Sequence, residues 1–262
     1  MRGIKSLICD TSIVEPNKGL IIRGMPLYSL IDRLPEEIFY LLCTGELPNG
    51  EELKDLQREL NSRSNIPYYV WDILKSMPKD SHPMVMLNTA ILVMQKESVF
   101  TKKYGEGLKK IEYLEPTVED ALDLLAKIPS IAAGIYRIRF DKGDIIDFDT
   151  KLDWGENYAR MLGINDENFI KLIRLYLVLH CDHESGNVSQ NTCNTVSSAL
   201  SDAYYAVSAG LNGLAGPLHG LANQECLKFI INIKKRFNGV PDEENLRKFI
   251  WDTLNSGRVI PG

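Results

Sequence analysis

The run Met84–Met94 reads Met-Val-Met-Leu-Asn-Thr-Ala-Ile-Leu-Val-Met and carries no charge. Apolar residues recurring at three-to-four spacing argue for a helix, and a helix without a polar face is stable only when other helices enclose it. Ile170–Leu179 makes the same demand, with Lys171 and Arg174 as its charges. Both need a multi-helical surrounding, inside a large globule or at a subunit interface. The same spacing runs through Pro35–Cys43, Gly50–Leu60, Pro67–Met77, Pro83–Lys96 and Pro116–Phe140. Proline in a first turn forfeits no bond, because the first N–H groups have no intrahelical partner. Thr117-Val-Glu-Asp120, Asp166-Glu-Asn168 and Pro241-Asp-Glu-Glu244 put caps or acids at three further starts. The helix from Asp166 is expected to reach His180, and the fold to be mainly α.

Residues 4–10 and 20–23 are short Ile- and Leu-rich runs separated by Glu15-Pro-Asn-Lys-Gly19, which predicts a small N-terminal β-hairpin. Residues 139–153 are polar and read as a surface loop. Residues 189–211 are rich in Ser, Ala, Thr, Asn and Gly, side chains small enough for helices, or a ligand, to approach closely. A boundary is possible at residues 213–220, and one continuous domain fits equally well. At 262 residues the chain can bury a substantial core without metal or disulfide staples. Its five cysteines are odd in number and scattered, which fits a reducing compartment. A net charge of -5 argues against general nucleic-acid binding, which needs a basic footprint. No run approaches the ~20 apolar residues of a membrane span, and no signal peptide is visible, so the chain is expected to be soluble.

Three of the four histidines fall in two segments, His180-Cys-Asp-His183-Glu-Ser-Gly-Asn187 and Asn212-Gly-Leu-Ala-Gly-Pro-Leu-His219-Gly. Histidine changes charge near neutral pH, so this concentration points to proton chemistry or anion binding. His180 and His183, with Asp182 or Glu184, could share a metal, although a third correctly spaced ligand is missing. His180 reads equally well as a hydrogen-bonded core histidine capping its helix. His183, between two acids in a non-periodic stretch, favours a functional role. Gly213 and Gly216 allow a tight turn, and Pro217 suits a first helical position. His219 would then sit in the first turn of a helix reaching Phe237, where the dipole biases it toward the neutral form and free N–H groups bind anions. A merely packing histidine is the other reading. Gly257–Gly262 is a loop.

Together these segments resemble the citrate synthase family, in its mitochondrial-type and related bacterial branch. The likeness is carried by Arg23-Gly24, Ala126-Lys-Ile-Pro129, Tyr136-Arg137, His180-x-Asp-His183-Glu-x-Gly-Asn187-Val-Ser189, Ser198-Ala-Leu-Ser-Asp202 and Gly210-Leu-Asn-Gly-Leu-Ala-Gly-Pro-Leu-His219-Gly-Leu-Ala-Asn-Gln-Glu225. The resemblance implies a multi-helical large domain over residues 1–220 and the beginning of a smaller helical domain over 221–262. It implies condensation of acetyl-CoA with oxaloacetate and hydrolysis of citryl-CoA to citrate and CoA, without metal or cofactor, in a homodimer. It makes His219 the acid at the thioester oxygen, His183 the holder of oxaloacetate, and Asn187 its neighbour. Val259, Ile260 and Gly262 match the loop that receives the adenine of CoA, Leu218 a residue beside the thioester arm, and Arg137 a phosphate-binding arginine.

In the family Tyr-Gly-His follows the glycine matching Gly262, and an aspartate base and carboxylate-binding arginines come later. Those residues are not among these 262. The resemblance therefore implies an incomplete chain, inactive alone. A 2-methylcitrate synthase-like enzyme and a non-catalytic CoA-binding or interaction module are the alternatives. The compartment expected is the cytoplasm, or the mitochondrial matrix in a eukaryote.

Overall fold

The computed structural model describes residues 8–184 and 186–260. It opens with a three-stranded antiparallel sheet, β1 (Ser12–Glu15), β2 (Gly19–Ile22) and β3 (Met25–Pro26), in the order β1-β2-β3. The hairpin is where the turn residues put it, but its first strand is not residues 4–10. Glu15 pairs with Gly19, so the strand that pairs with β2 is the one next to the turn, with Ser12 opposite Ile22. The expected run at 4–7 lies outside the described residues, and 8–10 are not in a strand.

Helices follow: α1 (Pro35–Thr44), α2 (Gly50–Arg63), α3 (Tyr68–Ser76), α4 (Pro83–Val93), α5 (Val99–Gly105), α6 (Leu114–Arg139), α7 (Trp154–Met161), α8 (Glu167–Leu179), α9 (Val188–Ser197), α10 (Ala203–Leu214), α11 (Ala222–Arg236) and α12 (Glu243–Asn255). The fold is mainly α, as its periodicity requires. The caps act as written in the sequence: Asn49 accepts the N–H groups of Glu51 and Glu52, and Asp166 accepts that of Phe169. Helices α5, α7, α9 and α10 were not marked by apolar periodicity. They are short or built from small residues, and tertiary packing sustains them.

The main core gathers Val70 and Leu74 of α3, Met86, Ala90 and Ile91 of α4, Leu124, Ile131 and Ile135 of α6, and Tyr204 of α10. A second core under the sheet joins Ile22, Leu30, Ile38, Leu41 and Val178. Enclosure of the two apolar helices is one-sided. Val85 and Leu92 of α4, and Leu172, Tyr176 and Leu179 of α8, remain exposed.

Long α6 contains Pro129, which is buried and has no N–H to donate to Leu125 four residues back. The freed Leu125 carbonyl accepts the indole N–H of Trp154 at 3.1 Å. Trp154 opens α7, and its own backbone N–H donates to the buried Glu36 carboxylate of α1 at 2.8 Å. The loop 140–153 between α6 and α7 is the surface loop that its polarity predicts, anchored by Asn157 through Asp149 and Leu152.

Small residues do bring α9 and α10 together. A Cβ on Gly210 would lie 3.1 Å from the Ser189 carbonyl oxygen, and one on Gly213 would lie 3.1 Å from Val188 Cγ1. This close pairing sets the two histidine segments side by side. Beyond it, α11 and α12 pack on each other through Phe229, Phe237 and Phe249. The Asn223 amide donates to the Tyr176 hydroxyl of α8 at 3.0 Å.

Candidate active site

Helix α8 ends at His180, which is exposed and not a core residue. Its Nδ1 lies 2.8 Å from the Tyr176 carbonyl, and its ring stacks on Tyr176 at 4.0 Å. The capping expected of His180 is seen, and its burial in the core is not. The chain then crosses to β1. Thr11 Oγ1 donates to Asp182 Oδ2 at 2.5 Å, while Asp182 Oδ1 accepts the His183 N–H at 2.8 Å. Ser12 Oγ accepts the Glu184 N–H at 2.8 Å, and Glu184 Oε1 accepts the Val14 N–H.

Both acids beside His183 therefore bond to the hairpin and to the residue before it. Among the described residues no group of three or more His, Cys, Asp or Glu is placed to hold a metal. Glu184 has φ 57°, left-handed backbone that a side chain disfavours by about 1–2 kcal/mol. The two bonds to β1 hold it there. His183 itself is exposed, presented by a loop that is tied down on either side of it. Between the two histidines, burial and the neighbouring Asp182 carboxylate push the Cys181 thiol up to about 11, so it is not a poised nucleophile.

Asn187 is the N-cap of α9, its Oδ1 accepting the Gln190 N–H at 2.8 Å and the Ser189 hydroxyl at 2.7 Å. Ser189 Oγ also lies 2.8 Å from His219 Nε2. Asn187 and His219 are thus joined through one serine, which the sequence reading did not single out. The signal available for it was the small-residue stretch that lets α9 and α10 approach. Ser189 has one hydroxyl proton and two acceptors, so its choice sets the His219 tautomer. When Ser189 donates to Nε2, the neutral ring carries its proton on Nδ1.

His219 is not in a helix. Helix α11 begins at Ala222, and Pro217 to Leu221 form turns. The backbone of this segment serves the end of α10 instead: the Gly220 N–H donates to the Leu214 carbonyl at 2.9 Å and the His219 N–H to Gly216 at 3.1 Å. The proposed placement of His219 against a helix dipole is thereby corrected. A Cβ on Gly220 would lie 2.3 Å from the Leu214 oxygen, so only glycine fits this turn.

The remaining expected residues are spread out. Leu218 is 100% exposed and Val259 86% exposed, while Ile260 is half-buried. Gly262 lies outside the described residues. Arg137 donates to the carbonyls of Lys142 and Asp144, closing the loop after α6, and lines an open cavity of about 390 Å³ with Lys75 and Lys79.

The sequence model of the family described as citrate synthase, C-terminal domain, matches residues 1–262. The chain belongs to the citrate synthase family. It is 45% identical over 272 residues to the mitochondrial citrate synthase of Saccharomyces cerevisiae, covering 100% of this chain and 57% of that protein. It is 44% identical over 274 residues to the mitochondrial 2-methylcitrate synthase of Yarrowia lipolytica, covering 100% of this chain and 59% of that one. Among solved structures, citrate synthase from Thermotoga maritima MSB8 matches with a TM-score of 0.81 at 25% identity, over 99% of this chain and 65% of the other. Citrate synthase from Pyrobaculum aerophilum matches with a TM-score of 0.79 at 29% identity, over 88% and 57%. The chain thus spans less than two thirds of the length of these citrate synthase relatives. No described helix is long and apolar enough to cross a membrane.

Proposed function

We propose that these residues form part of the active site of an enzyme that condenses acetyl-CoA with oxaloacetate and hydrolyses the resulting citryl-CoA to citrate and CoA. The observation that carries the reading is the chain Asn187–Ser189–His219, which joins the two histidine segments into one polar cluster. His183 and Asn187 hold oxaloacetate. His219 hydrogen-bonds the thioester oxygen as the acetyl methyl loses a proton to the family's aspartate base, which is not among these 262 residues, and the enol forms. This role needs a proton on the free ring nitrogen, so with substrate bound the Ser189 hydroxyl turns its proton from Asn187 Oδ1 to Nε2, and Nδ1–H faces the thioester. The enol carbon then bonds to the oxaloacetate carbonyl carbon, and water cleaves the thioester. The chemistry requires no metal or further cofactor, CoA being carried as the thioester substrate.

Leu218, Val259, Ile260 and Gly262 are assigned to CoA, and Arg137 to one of its phosphates. The exposure of Leu218 and Val259 supports this, since both are open to a ligand. Residues 221–262 begin a smaller domain, in keeping with the packing of α11 on α12. The open apolar side chains of α4 and α11, including Leu92, Leu227 and Ile230, support a homodimer. Sedimentation at twice the mass of one chain is the expected result. The unpaired thiols of Cys43, Cys181, Cys193 and Cys226 support a reducing compartment, cytoplasm or mitochondrial matrix.

The 262 residues alone are expected to form no citrate, because the family's carbonyl-polarising histidine and aspartate base are not among them. A chain completed to the length of its relatives is expected to form it, with His219→Gln lowering the rate about 10²–10⁴-fold. Citrate formation by the 262 residues alone, or indifference to His219, would overturn the reading. Similar identity to a 2-methylcitrate synthase supports propionyl-CoA as the second candidate substrate. Comparing kcat/KM for the two acyl-CoA substrates decides between them.

A further inference from the structure

We propose that edge strand β1 is a positioning element for His183, acting through Asp182 and Glu184; this rests on the assignment of His183 as a substrate holder. A strand edge normally exposes unpaired N–H groups that must be covered or left to water. Here the outward N–H of Val14 is taken by the Glu184 carboxylate, so the loop covers the edge and the edge anchors the loop. The second anchor runs from Thr11 through Asp182 to the backbone N–H of His183 itself, at 2.5 Å and 2.8 Å. The third joins Ser12 Oγ to the Glu184 N–H.

Three features distinguish this from incidental packing. The contacts bracket His183 on both sides and leave its side chain exposed. They hold Glu184 in left-handed backbone, which an untethered glutamate would leave. They are also made by residues about 170 positions apart in sequence, so they tie the hairpin directly to the loop that carries His183. Charge-assisted bonds to carboxylates are the stronger class of hydrogen bond. Releasing either acid therefore frees the histidine without touching its imidazole.

The test is made on the 262-residue chain with ring-labelled histidines, using Thr11→Val and Glu184→Gln, with Thr11→Ser as the conservative replacement. Amide hydrogen exchange of residues 181–184 is expected to quicken by about tenfold or more in the first two variants. The His183 ring resonance should shift or broaden, while those of His82 and His219 stay in place. Thr11→Ser should restore the original signals. Circular dichroism checks that each variant is folded, and either of the two variants alone suffices.

Unchanged exchange and an unchanged His183 resonance in a folded Thr11→Val or Glu184→Gln protein would overturn the proposal. Titration with oxaloacetate separates this from the functional reading. If oxaloacetate leaves the His183 resonance unmoved in a chain completed to the length of its relatives, the substrate assignment fails. The tether is still decided by exchange.

Discussion

Trp154 donates its indole N–H to the carbonyl of Leu125, the acceptor that Pro129 leaves unfilled inside α6. A proline inside a helix ordinarily costs about 3 kcal/mol through the lost bond and the ring clash. Here the tryptophan of another helix supplies the missing donor, so a defect in α6 becomes the docking point for α7.

Trp154→Phe keeps most of the apolar contact and removes the donor. Leaving the half-buried Leu125 carbonyl unpartnered should cost about 1–3 kcal/mol. Urea unfolding should show a lower midpoint with an unchanged slope, and an unshifted midpoint would disprove the role of the indole N–H.

Gly220→Ala is expected to destabilise the chain by about 1–3 kcal/mol, because its Cβ would meet the Leu214 oxygen at 2.3 Å and the Leu214 side chain at 2.7 Å. Gly50→Ala, with nothing within 4 Å, should stay within about 0.5 kcal/mol of the parent. The His219 ring resonance should move in the first variant and not in the second.

Ser189→Ala removes the link between Asn187 and His219. The expected cost in stability is modest, about 0.5–1.5 kcal/mol. Nitrogen-15 spectra should report one dominant His219 tautomer in the parent chain and a loss of that preference in the variant. An unaltered tautomer ratio would show that Ser189 does not set it.

Burial holds the Glu36 carboxyl above its ordinary value of 4.5, and the nearby Asp153 adds to the shift; Asp120 is raised from 3.8 chiefly by burial as well. For both groups the folded state binds the proton more tightly than the unfolded state. Their contribution to stability is therefore greatest below the unfolded values and falls as pH rises through the folded ones. Glu36→Gln should flatten the decline of the melting temperature on the alkaline side of pH 4.5. An equally steep decline in the variant would remove Glu36 as its source.

Much of the fold was legible because its signals are local. Asn49 and Asp166 cap the helices that they precede, and Glu15 to Gly19 turns the hairpin. Asp166 and His180 bound α8 as its periodicity and first-turn acid indicate. The site was legible only in pieces. His183 stood out between two acids, but nothing local marked those acids as its tethers to the hairpin. Pro217 suggested a helix start with His219 in its first turn, whereas the turn spends its N–H groups on the Leu214 and Gly216 carbonyls.

By itself the sequence determined a mainly helical chain and its short-range caps, and the motif residues by which it resembles its family. These depend on spacing of a few residues and on groups that meet within one turn. Tertiary structure alone decided that Thr11 and Val14 hold the acids beside His183, that Ser189 joins Asn187 to His219, and that Trp154 fills the gap left by Pro129. The physical reason is that a buried donor takes whichever acceptor the packed surfaces bring within about 3 Å. Which surfaces meet depends on the whole core rather than on either partner's neighbours in sequence.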